Sequence, residues 1–209
     1  MARQVTDLHD QLLHRADWPR AEPAPPPGEL WRWVQANHRN NSLLWAEEDL
    51  ARRTTVAAAE IAANKRAIDA YNQARNDATE RVDELLLLAL GLVDEASARS
   101  AAPQSRVVPG ARLNSETAGS MIDRMSIMAL KLKAMREQTR RHDVDQAHRD
   151  ATQAKLGRLL EQRQDLAACL DALLADTAAG RAFFKVYRQF KMYNDAQLNP
   201  QLVKERLKP

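Results

Sequence analysis

Cysteine is nearly absent from this 209-residue sequence. The single Cys169 cannot close an internal disulfide, which fits a reducing compartment or a fold with no need of cross-links. Its spacing to Leu166, Leu170 and Leu173 places it among the core positions of a helix face. Aromatic residues make up only 5%, and 26 Leu stand against 10 Val and 4 Ile. A large sheet would lack the β-branched and aromatic residues that fit a pleated surface. Glycine is equally sparse: the six glycines never come closer than nine residues. That excludes a Gly-rich phosphate loop, a dinucleotide fingerprint and a G-x-S-x-G elbow. The five histidines form neither an HExxH nor a Glu-x-x-His pattern, so no metal site is expected. The longest apolar run, Leu85–Val93, is about half the roughly 18 residues a bilayer crossing needs. The start, MARQVTDLHD, carries charges where a signal peptide needs an apolar stretch. No transmembrane segment and a cytoplasmic location are therefore expected.

A strong excess of charge of one sign is missing as well. The net charge is +3, but residues 181–209 hold seven Lys or Arg against Asp195 and Glu205, so the rest of the chain is slightly acidic. Without a basic footprint over a whole domain, nucleic acid is not an expected partner. The nine prolines leave 28–102 and 110–199 entirely clear. The fold class is therefore all-α: an antiparallel bundle of about five long helices with a short N-terminal arm. Residues 1–27 read as a helical arm (about Val5–His14) and a Pro-rich linker, 28–200 as the bundle, and 201–209 as a basic tail. Helices are expected over Gly28–Arg53, Val56–Glu95 (capped by Thr54 or Thr55), Ala118–Thr139, Val144–Thr177 and Arg181–Tyr193. The Met121, Met125, Met128, Leu132 and Met135 stripe reads as core. Unpaired stripes leave a homodimer open.

The informative helix is the one over 56–95. Its apolar stripe opens with Ile61 and Ile68 and resumes at Val82, yet Arg75 falls in the same register between them. Lys65, Asp69, Asn72, Asn76, Glu80 and Asp83 recur at spacings of three and four, so they share a side. In the preceding helix Asn41, Trp45, Glu48, Asp49 and Arg52 do the same, and Trp45 argues against a purely solvated face. Antiparallel packing would bring the bands together, with Asp123, Arg124 and Lys131 as a third wall. Buried charge is costly unless paired, and patterning breaks most often at functional sites. Arg52, Lys65, Arg75 and Arg124 could grip an anion, while Glu48, Asp49, Asp69 and Asp77 could orient sugar hydroxyls, act as acid and base, or hold a divalent ion. The alternative is an internal salt-bridge network. A second candidate is NSETAGSMIDR (114–124), where Asn114, Glu116 and Gly119 precede a helix whose free N–H groups suit an anion; simple capping by Ser115 or Thr117 explains it equally.

Four stretches carry a resemblance: NSLLWAEED (41–49), IAANKRAIDAYNQARND (61–77), LNSETAGSMIDRMSIMALK (113–131) and KMYNDAQLNP (191–200). In these the sequence is similar to a bacterial family of about this length, described as a domain of unknown function. Its members occur near glycosyltransferase and lipopolysaccharide genes, which implies a role in envelope polysaccharide assembly. The resemblance carries over no catalytic residue and no cofactor. Ala118 departs from a proline that the family often has there. The expectation is a core pocket for a sugar phosphate or nucleotide sugar. The alternative is a non-catalytic partner of a glycosyltransferase, docking through Arg181, Lys185, Arg188 and Lys191 with Phe183, Phe184, Tyr187 and Phe190.

Overall fold

A computed structural model of the chain describes residues 1–189 and 195–206. The proline-free stretches form two pairs of long helices, α2 (Glu29–Leu50) with α3 (Ala58–Ala89) and α5 (Ala118–Thr139) with α6 (Gln146–Ala178). Short connections, 51–57 and 140–145, make each pair antiparallel neighbours. The bundle is all-α apart from a two-residue parallel pairing of β1 (Arg112–Leu113) with β2 (Ala182–Phe183). α1 (Ala2–Leu13), α4 (Glu95–Ala98) and α7 (Pro200–Arg206) complete the described helices. α5 touches α1, α2, α3 and α6, and its buried residues, among them Met121, Ile122, Met125, Ala129, Leu130 and Leu132, cover more than one stripe. A helix apolar on most sides belongs at the centre of a bundle.

Several boundaries differ from the sequence expectation. α3 starts three residues after Thr55 without a side-chain cap, and it stops at Ala89 before Gly91 at φ +68. The segment expected as a peripheral arm instead belongs to the core: α1 buries Val5, Leu8, Leu12 and Leu13 against α5 and α6. The Pro-rich linker lies along α2, where the Pro19 carbonyl accepts from Arg39 Nε at 3.1 Å and that of Pro23 from Gln35 Nε2 at 2.7 Å. Cys169 is exposed, because the inward stripe of α6 runs through Arg163, Leu166, Leu170, Leu173 and Thr177 and passes it by. The expected helix over Arg181–Tyr193 does not form within 181–189. Ala182, Phe184 and Val186 point inward with period two, and Phe184 is fully buried. Arg188 then ties the segment down through Glu80 and Glu84 on α3 and the Ala98 and Ser100 carbonyls. Phe190, Lys191 and the next three residues of the KMYNDAQLNP motif lie outside the described residues.

The α3–α5 crossing is as close as backbones allow. A Cβ on Gly119 would sit 2.5 Å from the Thr79 carbonyl oxygen and 2.9 Å from the Asp83 carboxylate. Asp83 is buried and accepts from the Gly119 N–H at 2.6 Å. Burial is the main cause pushing its carboxyl up to about 7, partly offset by hydrogen bonds from Thr117 and Gly119. Two turns further along α5, beside Ser126, His9 and His38 are wholly buried and stacked, ring centroids 4.3 Å apart, with Trp18 stacked on His38. Burial holds both imidazoles neutral: His9 falls well below the ordinary value and His38 to about 3, and the Arg163 charge adds to the effect.

Two outcomes are expected. Gly119→Ala forces the helices apart and lowers stability by about 1–3 kcal/mol, measured by urea unfolding. The pH dependence follows from linkage. With folded-state values below the unfolded 6.5, each histidine takes up a proton only on unfolding, so stability falls as pH drops below about 6.5. Each such proton is worth about 1.4 kcal/mol per pH unit. Asp83, with its folded value raised, works in the opposite direction between about 4 and 7 and cancels about one proton's worth. Unfolding free energies between pH 7 and 5 should therefore decline by about one proton's slope in the wild type and by about two in Asp83→Asn.

Candidate functional site

The polar bands of α2 and α3 do meet, and an α5 carboxylate joins them. Asp123 Oδ1 accepts from Asn37 Nδ2 and Asn41 Nδ2, both at 2.8 Å, with Arg75 Nε 4.0 Å away. Asn37 also donates to Thr79 Oγ1 at 3.1 Å. Asn41 donates to Ser126 Oγ at 3.0 Å, and Ser126 Oγ lies 2.8 Å from His38 Nδ1. The network thus runs from Arg75 on α3 to the buried histidine pair beneath α1. Asn37 and Asn41 occupy successive turns of one helix face, so Asn37 was legible by its i,i+4 relation to Asn41. Ser126 and His38 carried no such signal.

Above this network lies a cavity of about 330 Å³. Seven of the expected residues line it: Asn41, Trp45, Glu48, Asp49, Arg52, Asn72 and Arg75. Leu44, Ile127 and Leu130 complete its apolar part. Among the described residues, none hydrogen-bonds the side chains of Trp45, Asp49 or Asn72. Such a site combines an indole wall with convergent polar groups, the make-up of small-molecule pockets.

The other expected residues go elsewhere. Asp69 is exposed and outside the lining. Asp77 is exposed and accepts from Gln73 at 2.5 Å. Asn76 is buried, accepting from Arg75 and donating to Gln189 Oε1 at 2.6 Å. Lys65 is exposed, 4.0 Å from Glu48. Arg124 turns to the opposite side of α5 and pairs with Glu116 at 2.5 Å. Those two line a different cavity, about 620 Å³, between α5 and α6. It is larger, but Met121, Ile127, Met128 and Leu166 form much of its wall and Arg124 and Glu116 neutralise each other there. The α2–α3–α5 cavity is the better candidate.

The four cations expected to grip an anion are engaged within the fold. Each faces a carboxylate: Arg52 has Glu48 at 3.2 Å, Lys65 the same Glu48, Arg75 has Asp123 and Arg124 has Glu116. The start of α5 is occupied in the same way. Its Gly119 N–H holds the chain's own Asp83, Thr117 Oγ1 caps Ser120 N at 3.1 Å, and Asn114 donates to the Glu116 carbonyl. The groups with strongly shifted titration, His9, His38 and Asp83, line none of the Trp45 cavity.

Asp123→Ala leaves two amides and a guanidinium facing an empty position. It should cost about 3 kcal/mol in denaturant unfolding, against about 1 kcal/mol for Asp123→Asn, which keeps an acceptor.

Among known proteins, the family model described as a protein of unknown function (DUF4254) matches residues 31–186, which include every residue lining the Trp45 cavity. No curated protein and no solved structure matches the chain.

Proposed function

The chain belongs to the DUF4254 family, and for this member we propose binding of a sugar phosphate or nucleotide sugar in the Trp45 cavity, in the service of envelope polysaccharide (lipopolysaccharide) biosynthesis. One observation carries the ligand class: an indole wall stands beside Asp49 and Asn72, whose side chains have no hydrogen-bond partner among the described residues. A sugar ring presents an apolar C–H face and a rim of hydroxyls. The face packs on an aromatic ring, and carboxylates and carboxamides accept and donate along the rim. Glu48 and Arg52, already paired at the mouth, would be displaced onto hydroxyls rather than created for them. The four-motif resemblance to a family encoded near lipopolysaccharide genes supports the setting.

Among the described residues, the docking alternative has few left to act through. Phe184 is buried, Arg188 is held by Glu80 and Glu84, and Arg181 pairs with Asp176 at 2.7 Å. Tyr187, just over half exposed, and Lys185, 5.9 Å above the Phe183 ring, remain.

A ligand at about 100 times its dissociation constant stabilises the folded state by about 2.7 kcal/mol, or roughly 5–10 °C for a chain of this size. With UDP-glucose or glucose 1-phosphate, the thermal midpoint should rise by that order. Asn72→Ala and Asp49→Ala should abolish the rise while leaving the unliganded midpoint within about 2 °C. A rise that survives both substitutions would remove the cavity from consideration.

A further inference from the structure

The Trp45 cavity does not end at Trp45. Trp45 and Leu130 also line a second cavity of about 170 Å³, and Leu13, Lys133 and Glu137 pass from that one to a third of about 150 Å³. The three form one trough along α5. Its wall advances from Ile127 to Arg140, thirteen residues (140 − 127), which at 1.5 Å per residue is about 20 Å.

The far end differs from the near end in charge. Lys133, Arg136 and Arg140 all line the third cavity, beside His14. They sit at i, i+3 and i+7 on one face of α5. Unlike the cations around Trp45, none of the three forms an ion pair among the described residues. Two carboxylates share the lining, Asp10 and Glu137, but Asp10 is held by Arg163 at 2.9 Å. Unpaired cations brought together around a cavity repel one another, and an anion relieves that repulsion.

Building on the sugar reading of the Trp45 cavity, we infer that the ligand is elongated, a nucleotide sugar, with its sugar against Trp45 and its diphosphate on Lys133, Arg136 and Arg140. The spacing suits this orientation. From Leu130, at the Trp45 constriction, to Arg136 is six residues (136 − 130), or about 9 Å along the helix. In a nucleotide sugar the diphosphate is bonded directly to the sugar, so it would cross the second cavity, which Lys133 also lines, toward Arg136 and Arg140. The inference also answers a problem left by the first cavity, whose cations are each neutralised by a carboxylate while the ligand class carries negative charge.

The test is titration calorimetry with UDP-glucose and UDP, on the wild type, on Asn72→Ala, and on the double variant Lys133→Gln/Arg136→Gln. The substituted side chains are exposed or half-buried, and an unchanged unfolding midpoint verifies the fold. UDP-glucose should bind more tightly than UDP. The double variant should weaken both by roughly tenfold or more, the loss of charge-assisted hydrogen bonds, and Asn72→Ala should weaken UDP-glucose alone. If Asn72→Ala weakens UDP-glucose and the double variant does not, the two-part trough is wrong and the Trp45 cavity stands. If UDP and UDP-glucose bind alike and only the double variant matters, the basic end is an anion site without a sugar site, and both readings fail. Binding of neither compound also overturns both.

Discussion

The Asp123 carboxylate is the point on which the three central helices agree. One of its oxygens takes both asparagine amides of α2 and faces the guanidinium of Arg75 on α3, while its own backbone belongs to α5. A half-buried carboxylate is costly alone and tolerable with this many donors. The same set of donors sets the rotation of α2 and α3 about their axes, because only one register presents Asn37, Asn41 and Arg75 to a single oxygen. Trp45 and Asn72 face a common cavity as a consequence of that register.

A second seam sets the depth of the crossing. Gly119 admits the α3 backbone at a distance any side chain would prevent, and the first turn of α5 then meets Asp83. An N-terminal turn with free N–H groups attracts an anion, and here the anion is internal. Within one turn of Asp83 on α3, Glu80 and Glu84 draw in Arg188, and the chain after α6 runs as an extended strap instead of a helix. The acidic band of α3 is therefore largely committed to holding the fold at its C-terminal half, and open to solvent and ligand at Asn72 and Arg75.

Charge pairing separates structural from receptive positions. Most arginines near the bundle's polar seams have a carboxylate within 4 Å, a sign of charges satisfied within the fold. Lys133, Arg136 and Arg140 lack one among the described residues although they converge on a cavity. Binding energy is available where partners are missing, since an internal pair must be broken before it can hold a ligand.

The helical class, the two long antiparallel pairs and the boundaries of α5 were legible in the sequence, because proline placement and leucine spacing are local properties of the chain. So was the polar band: Asn41, Trp45, Glu48, Asp49, Arg52, Asn72 and Arg75 line one cavity. Partner choice was not legible. Whether Arg124 turns toward Arg75 or toward Glu116, whether Asp83 or a ligand fills the start of α5, and whether residues after Gly180 continue as helix all depend on contacts between positions far apart in the chain. Periodicity assigns a residue to a face, but a face offers several partners of similar chemistry. Only the packed structure selects among them, since electrostatic and hydrogen-bond energies depend on distances of a few ångströms that sequence spacing does not determine.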